Sequence, residues 1–332
     1  MLNLYKILFF NLMLIGILIS VSAYSWLSMW MGLEINLLSI IPLFKSHKNI
    51  FPAEACLKYF ITQAMASIIL IFSITHSFNF TILSNLTTNL LNISLLTKLG
   101  AAPFHFWFPE VSEGLNWINN IFLMTIQKMA PLILLMYNPS TYKILLLSVI
   151  TSSIIGSIYG LNQVSLRKIM AYSSINHLSW MLASFMENKI IWINYFIIYS
   201  LILTNIIYIF NHFKLFYMNQ LFLINNKNKL IKLIFSLNLL SLGGLPPFIG
   251  FMPKWLTLNF LMMEKLYFIG LILIMFTLIT LYFYCRMIFS NLTINLNENL
   301  IQFTNKLNYY FISFNIINLL LLFICSSLFN FI

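Results

Sequence analysis

Four charged side chains fall inside apolar runs, where a charge has no water: Glu34, Lys98, Lys128 and Lys254. Glu34 stands about eight residues into its run, in Trp30-Met-Gly-Leu-Glu34-Ile-Asn36, and Lys128 about eleven into its own, in Thr125-Ile-Gln127-Lys128-Met-Ala-Pro131. Lys98 precedes the breaker Gly100-Ala-Ala-Pro103, and Lys254 follows the breaker Gly243-Gly244-Leu-Pro246-Pro247. At a helix centre each costs about 2.5–3.5 kcal/mol even on the lenient insertion scale. For four that is on the order of 10–14 kcal/mol, comparable with the stability of a whole domain. Lysines near helix ends can snorkel to the interface, but Lys128 lies too deep. The set therefore has a use, and its chemistry suits proton movement. Burial favours the neutral form of either residue type, and an opposite charge nearby restores the ionised one. Glu34, the one intramembrane acid, is the expected partner of Lys98; Lys128 would be a central relay and Lys254 an outlet. His105 and His177 could shuttle protons, since imidazole titrates near neutral pH. His177 reads equally well as a neutral, hydrogen-bonded core histidine. Nearby Ser173, Ser174 and Asn176 either order water or satisfy backbone groups in a packed bundle.

The elements that must position these residues are membrane spans. Of 332 residues, 61% are hydrophobic and 8% charged, against about 25% charged in soluble domains. A chain so poor in polar residues cannot cover a soluble globule. All seven acids are Glu, and two of the 18 basic residues are Arg. The net charge of +11 is scattered between apolar runs and forms no nucleic-acid groove. Cys56, Cys285 and Cys325 have no paired spacing and are too few for a four-thiolate iron–sulfur cluster. No GxGxxG or GxxxxGK[ST] marks a nucleotide site. The expectation is an all-α polytopic membrane protein with no cofactor and no metal of its own.

Apolar runs between short polar breaks give about eleven crossings: 4–22, 26–44, 57–76, 81–113, 117–137, 142–161, 166–186, 190–211, 231–263, 266–287 and 308–330. The first lacks a cleavage site and reads as a helix, not a signal peptide. With this count twelve basic residues, in the connections or at span ends, fall on the side of the N-terminus and three on the other. That bias makes the N-terminal side cytoplasm-like, the matrix if the membrane is mitochondrial, and puts the C-terminus opposite. The runs 81–113 and 231–263 are too long for one straight helix across about 30 Å of hydrocarbon. Each carries its breaker where the midplane is expected, and non-helical backbone survives there only when buried or beside a wet cavity. They are the fourth and ninth crossings, so crossings 1–5 (1–137) and 6–10 (142–287) would form an inverted repeat, with 308–330 appended. Paired broken helices point to a transporter's ion path.

Trp30-Met-Gly-Leu-Glu34-Ile-Asn-Leu-Leu-Ser-Ile-Ile-Pro42, Lys98-Leu-Gly-Ala-Ala-Pro-Phe-His-Phe-Trp-Phe-Pro-Glu110-Val, Gln127-Lys128-Met-Ala-Pro131, Leu161-Asn-Gln-Val-Ser-Leu-Arg167-Lys-Ile-Met-Ala-Tyr-Ser-Ser-Ile175 and Leu242-Gly-Gly-Leu-Pro-Pro-Phe-Ile-Gly-Phe-Met-Pro-Lys254-Trp carry a resemblance. They are similar to the signatures of the mitochondrial NADH–ubiquinone oxidoreductase chain 2 family, antiporter-like membrane-arm subunits of respiratory complex I. The resemblance implies a core subunit contributing to proton translocation, related to Mrp-type cation/proton antiporters and seated in the mitochondrial inner membrane. It implies the pair, central-lysine and outlet roles at Glu34, Lys98, Lys128 and Lys254. It also implies chains 4L and 4, accessory subunits and cardiolipin as neighbours, with flavin, iron–sulfur clusters and ubiquinone held by other subunits. The alternatives are an independent cation/proton antiporter and a scaffold bundle. An antiporter should have a carboxylate near both broken helices to strip water from its cation, and here only Glu34 is at hand.

Overall fold

In lipid every backbone N–H and C=O must be satisfied within the chain, which leaves an apolar run little choice but helix. The computed structural model describes residues 4–45, 50–79, 84–138, 142–186, 189–221, 229–292 and 315, and among them there is no strand, only an isolated bridge between Ser165 and Tyr217. The helices are α1 (Leu4–Ser22), α2 (Trp26–Phe44), α3 (Phe51–Asn79), α4 (Ser84–Leu99), α5 (Trp107–Gly114), α6 (Trp117–Met124), α7 (Ile126–Met136), α8 (Tyr142–Leu161), α9 (Leu166–Phe185), α10 (Lys189–Phe213), α11 (Lys229–Gly243), α12 (Phe251–Met263) and α13 (Tyr267–Leu292), with a 3-10 turn at Met218–Leu221. Among the described residues seven stretches, α6 and α7 taken as one among them, are long and apolar enough to cross a membrane. The expected crossings at 81–113 and 231–263 are each split in two, into α4 with α5 and α11 with α12. The crossing expected at 308–330, with Cys325, lies outside the described residues.

The chain divides into two compact units, Met1–Ser152 and Ser153–Ile332. In the first, α2 opens at Ser25, whose side chain accepts the backbone N–H of Ser28. It then returns along α1 at backbone contact. A Cβ on Gly32 would lie 2.6 Å from Ser20 N, and one on Gly16 2.9 Å from Asn36 N. No side chain other than hydrogen fits between these helices, which fixes the depth of Glu34, two residues past Gly32. Helix α3 packs on α2, α4 and α5, and α7 packs on α1, α4 and α6.

In the second unit α9 is enclosed along nearly its whole length: Ser173, Ser174, Asn176, His177, Ser179 and Ser184 are all buried with its apolar residues. Such a helix meets protein on every face, so it carries more polar residues than a lipid-facing one can. The close approach of the first unit recurs: a Cβ on Gly156 would lie 2.7 Å from Asn176 N, as Gly16 meets Asn36.

Both breaks are built alike. Helix α4 ends with Gly100 at φ 70° and α11 with Gly244 at φ 78°, the left-handed conformation that glycine adopts at no steric cost. Ala101 N donates to Leu96 O and Gly100 N to Thr97 O; Leu245 N donates to Leu240 O and Gly244 N to Ser241 O. Each pair is a Schellman cap, which ends a helix with its carbonyls satisfied. Of the two glycines of the second breaker, Gly244 makes the turn and Gly243 is the last helical residue.

Candidate functional site

Glu34, Lys98, His105 and Lys128 fall in the first unit; His177 and Lys254 fall in the second. The three lysines are buried, at 7%, 1% and 7% exposed for Lys98, Lys128 and Lys254.

Lys98 sits in the last turn of α4, at the negative end of the helix dipole. The carbonyls around this break are held by neutral donors. Gln63 Nε2 donates to Lys98 O at 3.2 Å, Trp107 Nε1 to Thr97 O at 3.1 Å and Thr151 Oγ1 to Ala102 O at 3.0 Å. The Lys98 ammonium is thus not needed as a cap. Beside it lies a small polar cavity lined by Asn36, Tyr59, Gln63 and Gln127 with Leu33, Leu37 and Pro131.

Glu34 is half-buried, and its Oε1 is buried without a hydrogen-bond partner. Lys98 and Tyr59 both lie within its electrostatic reach. Yet no contact within 4 Å joins Glu34 to Lys98, so the pairing expected from sequence is not a contact ion pair in this state. A contact ion pair does join Lys58 to Glu110 at 2.6 Å, with both side chains half exposed.

Lys128 lies on a crossing that is interrupted, which sequence reading missed. Helix α6 ends at Thr125, where φ is −118° and ψ −77°, and α7 resumes with Lys128 N bonded to Thr125 O. Its ammonium lies 4.9 Å from the centre of the Phe108 ring, a cation–π distance. One residue before it, Gln127 exchanges two bonds with Asn36: Asn36 Nδ2 donates to Gln127 Oε1 at 3.1 Å, and Gln127 Nε2 donates to Asn36 Oδ1 at 2.8 Å. Tyr59 OH donates to the same Gln127 Oε1 at 3.1 Å. His105 is buried in the first break, its Nδ1 3.2 Å from Pro103 O.

Lys254 is placed differently from Lys98. Its Nζ donates to Gly243 O at 2.8 Å and Leu242 O at 3.3 Å, so the ammonium itself caps α11. The Trp180 ring centre is 5.9 Å away. A Cβ on Gly244 would meet Lys254 Cδ at 2.7 Å and Nζ at 2.9 Å, so the glycine that turns the chain also leaves room for the lysine. His177 Nδ1 is 2.9 Å from Tyr195 OH, and the ring lies 5.0 Å from that of Tyr199. Asn176 Nδ2 donates to Thr280 Oγ1 at 3.3 Å, tying α9 to α13.

Asn36 and Gln127 stand inside the motifs of Glu34 and Lys128, with no role expected from sequence. Their signal was position: uncharged polar residues at membrane depth, two and one residues from buried charges. Tyr59, Trp107 and Tyr195 gave none, because 17% of the chain is aromatic.

Residues 23–280 match the family described as NADH:quinone oxidoreductase/Mrp antiporter, TM, a stretch that contains every candidate from Glu34 to Lys254. The chain belongs to that family. Among its relatives in the NADH:quinone oxidoreductase/Mrp antiporter family, NADH-ubiquinone oxidoreductase chain 2 of Anopheles gambiae is 49% identical over 322 residues, 94% of each chain. The Locusta migratoria protein of the same name is 41% identical over 322 residues, 96% of this chain and 94% of that one. The fold is that of a chain in respiratory complex I from Thermus thermophilus, with TM-score 0.86 and 23% identity over 96% of this chain and 77% of that one. A chain of the Mrp complex from Dietzia also shares it, with TM-score 0.73 and 14% identity over 84% and 58%. At these identities the two structures speak for the fold.

Proposed function

We propose that this chain is a core membrane subunit of a proton-translocating NADH–ubiquinone oxidoreductase, respiratory complex I, and that its buried charges form the proton relay. The observation that carries the relay is the burial of three lysines, none more than 7% exposed, at the ends of interrupted helices or beside a break. A buried amine is easily neutralised, and a neighbouring charge that comes and goes can load and discharge it. Glu34 and Lys98 act as the loading pair, Lys128 as the central relay and Lys254 as the outlet, with His105 and His177 as shuttles.

The repeat organisation belongs to the same reading. Gly16 with Asn36 and Gly156 with Asn176 support it, as do the bonds from Asn36 to the fifth crossing and from Asn176 to the tenth. So do the matched glycine caps of the fourth and ninth. In the same proposal the full chain has about eleven crossings, five to a repeat and one appended, the N-terminus on the matrix side of the mitochondrial inner membrane and the C-terminus on the other. Chains 4L and 4, accessory subunits and cardiolipin are its neighbours. Flavin, iron–sulfur clusters and ubiquinone reside in partner subunits.

An independent cation/proton antiporter is the competing reading, and the Mrp-like fold favours keeping it in view. The test is to replace Lys98, Lys128 and Lys254 singly by Met in the intact complex. Assembly is followed by native electrophoresis and proton uptake by a pH dye during NADH oxidation. Loss of pumping with assembly intact is the expected result; unimpaired pumping in all three would leave the chain a scaffold. Sodium-driven proton exchange by the chain reconstituted alone would favour the antiporter.

A further inference from the structure

Glu34 and Lys98 are not in contact, and one side chain shares the cavity of Lys98 while feeling the charge of Glu34. Tyr59 is 3% exposed, lines the cavity beside Lys98 and lies within the electrostatic reach of Glu34. Its ring is held edge-on by Phe44 at 5.5 Å and Trp107 at 5.8 Å, which fixes the phenol oxygen in place while leaving its O–H free to rotate. The cavity has about 10 Å³ of room for a water centre, close to the least that holds one water. In this structure the hydroxyl hydrogen points to Gln127 Oε1, which also accepts from Asn36. An amide oxygen can hold that hydrogen but has no proton of its own to hand on. Glu34 Oε1, by contrast, is buried with no hydrogen-bond donor.

Resting on the relay reading above, we infer that Tyr59 is a proton-relay residue between Lys98 and Glu34, parked on Gln127 in the state seen here. In the step, the Lys98 ammonium gives a proton to a cavity water and that water gives one to the phenol oxygen. The phenol releases its own hydrogen to the Glu34 carboxylate. Lys98 ends as a neutral amine and Glu34 as a neutral acid; water and phenol each gain one proton and lose one. Gln127 sets when this happens, because the hydroxyl must leave its oxygen first.

Two variants in the assembled complex separate this role from packing. Tyr59→Phe removes only the hydroxyl; Gln127→Leu breaks the same hydrogen bond, and the Asn36 pair besides, but leaves the hydroxyl. NADH-driven proton translocation per complex is expected to fall at least fivefold in Tyr59→Phe and distinctly less in Gln127→Leu. Wild-type pumping in Tyr59→Phe, failure of that variant to assemble, or an equal or larger loss in Gln127→Leu would make the hydroxyl structural and overturn the inference. Lys128→Met run alongside keeps the two readings apart: if it stops pumping while Tyr59→Phe does not, the relay stands and Tyr59 is outside it.

Discussion

Asn36 and Gln127 exchange two amide hydrogen bonds, at 3.1 and 2.8 Å, and thereby join the helix of Glu34 to the helix of Lys128. Each amide stands within two residues of a buried charge, so a shift of either helix carries charge and amide together. Helix α7 begins just after the interruption at Thr125, where such a shift costs least, because the ladder of helical bonds is already broken there.

The strength of this link is measurable. Replacing Gln127 by Leu strands the Asn36 amide, and replacing Asn36 by Leu leaves Gln127 Nε2 without this acceptor although Tyr59 still donates to Oε1; an unmet buried polar group costs about 1–3 kcal/mol. Asn36→Leu and Gln127→Leu should each lower the thermal stability of the assembled complex, and the double variant should lose less than the two singles added. Additive losses would mean that the two amides act separately.

Adjacent glycines at the second break should behave oppositely. Gly244→Ala puts a Cβ 2.7 Å from Lys254 Cδ at φ 78°, a left-handed conformation costing about 1–2 kcal/mol for any other residue. The nearest atom to a Cβ on Gly243 is 3.5 Å away, an ordinary contact. Proton translocation should fall severalfold in Gly244→Ala and stay near normal in Gly243→Ala, read as dye-detected pumping at matched complex content.

The contact of α1 with α2 sets the height of Glu34. Gly32→Ala brings a Cβ to 2.6 Å from Ser20 N and 2.8 Å from Gly16 O, both backbone atoms that cannot turn aside. Overpacking of this kind costs about 1–3 kcal/mol. Lower complex content on native gels is the expected result, with reduced pumping by what assembles. Normal levels of both would show that the two helices can part without moving Glu34.

The long apolar runs, both glycine breaks and the three buried lysines were legible in the sequence, because lipid punishes a charge or an open backbone and few reasons exist to keep one. Gly100 and Gly244 showed themselves for that reason. The interruption at Thr125 did not: Pro131 lies six residues on, and no glycine marks the place. Nor could sequence show that Lys254 caps α11, the helix before its own, whereas Lys98 leaves the carbonyls of its break to Gln63, Trp107 and Thr151. Donor and acceptor there are far apart in the chain and meet through packing alone. The ion pair expected between Glu34 and Lys98 followed from Glu34 being the one intramembrane acid and Lys98 lying in the same half; the structure places Tyr59 and a small polar cavity beside Lys98 instead.

Lys128, 1% exposed and at the head of α7, is where a relay and a scaffold differ most. The direct measurement is the number of protons moved per NADH oxidised in sealed vesicles carrying the Lys128→Met complex, with assembly and NADH oxidation by an artificial acceptor as controls. A relay requires that number to fall while both controls hold. An unchanged number in a fully assembled complex would contradict it.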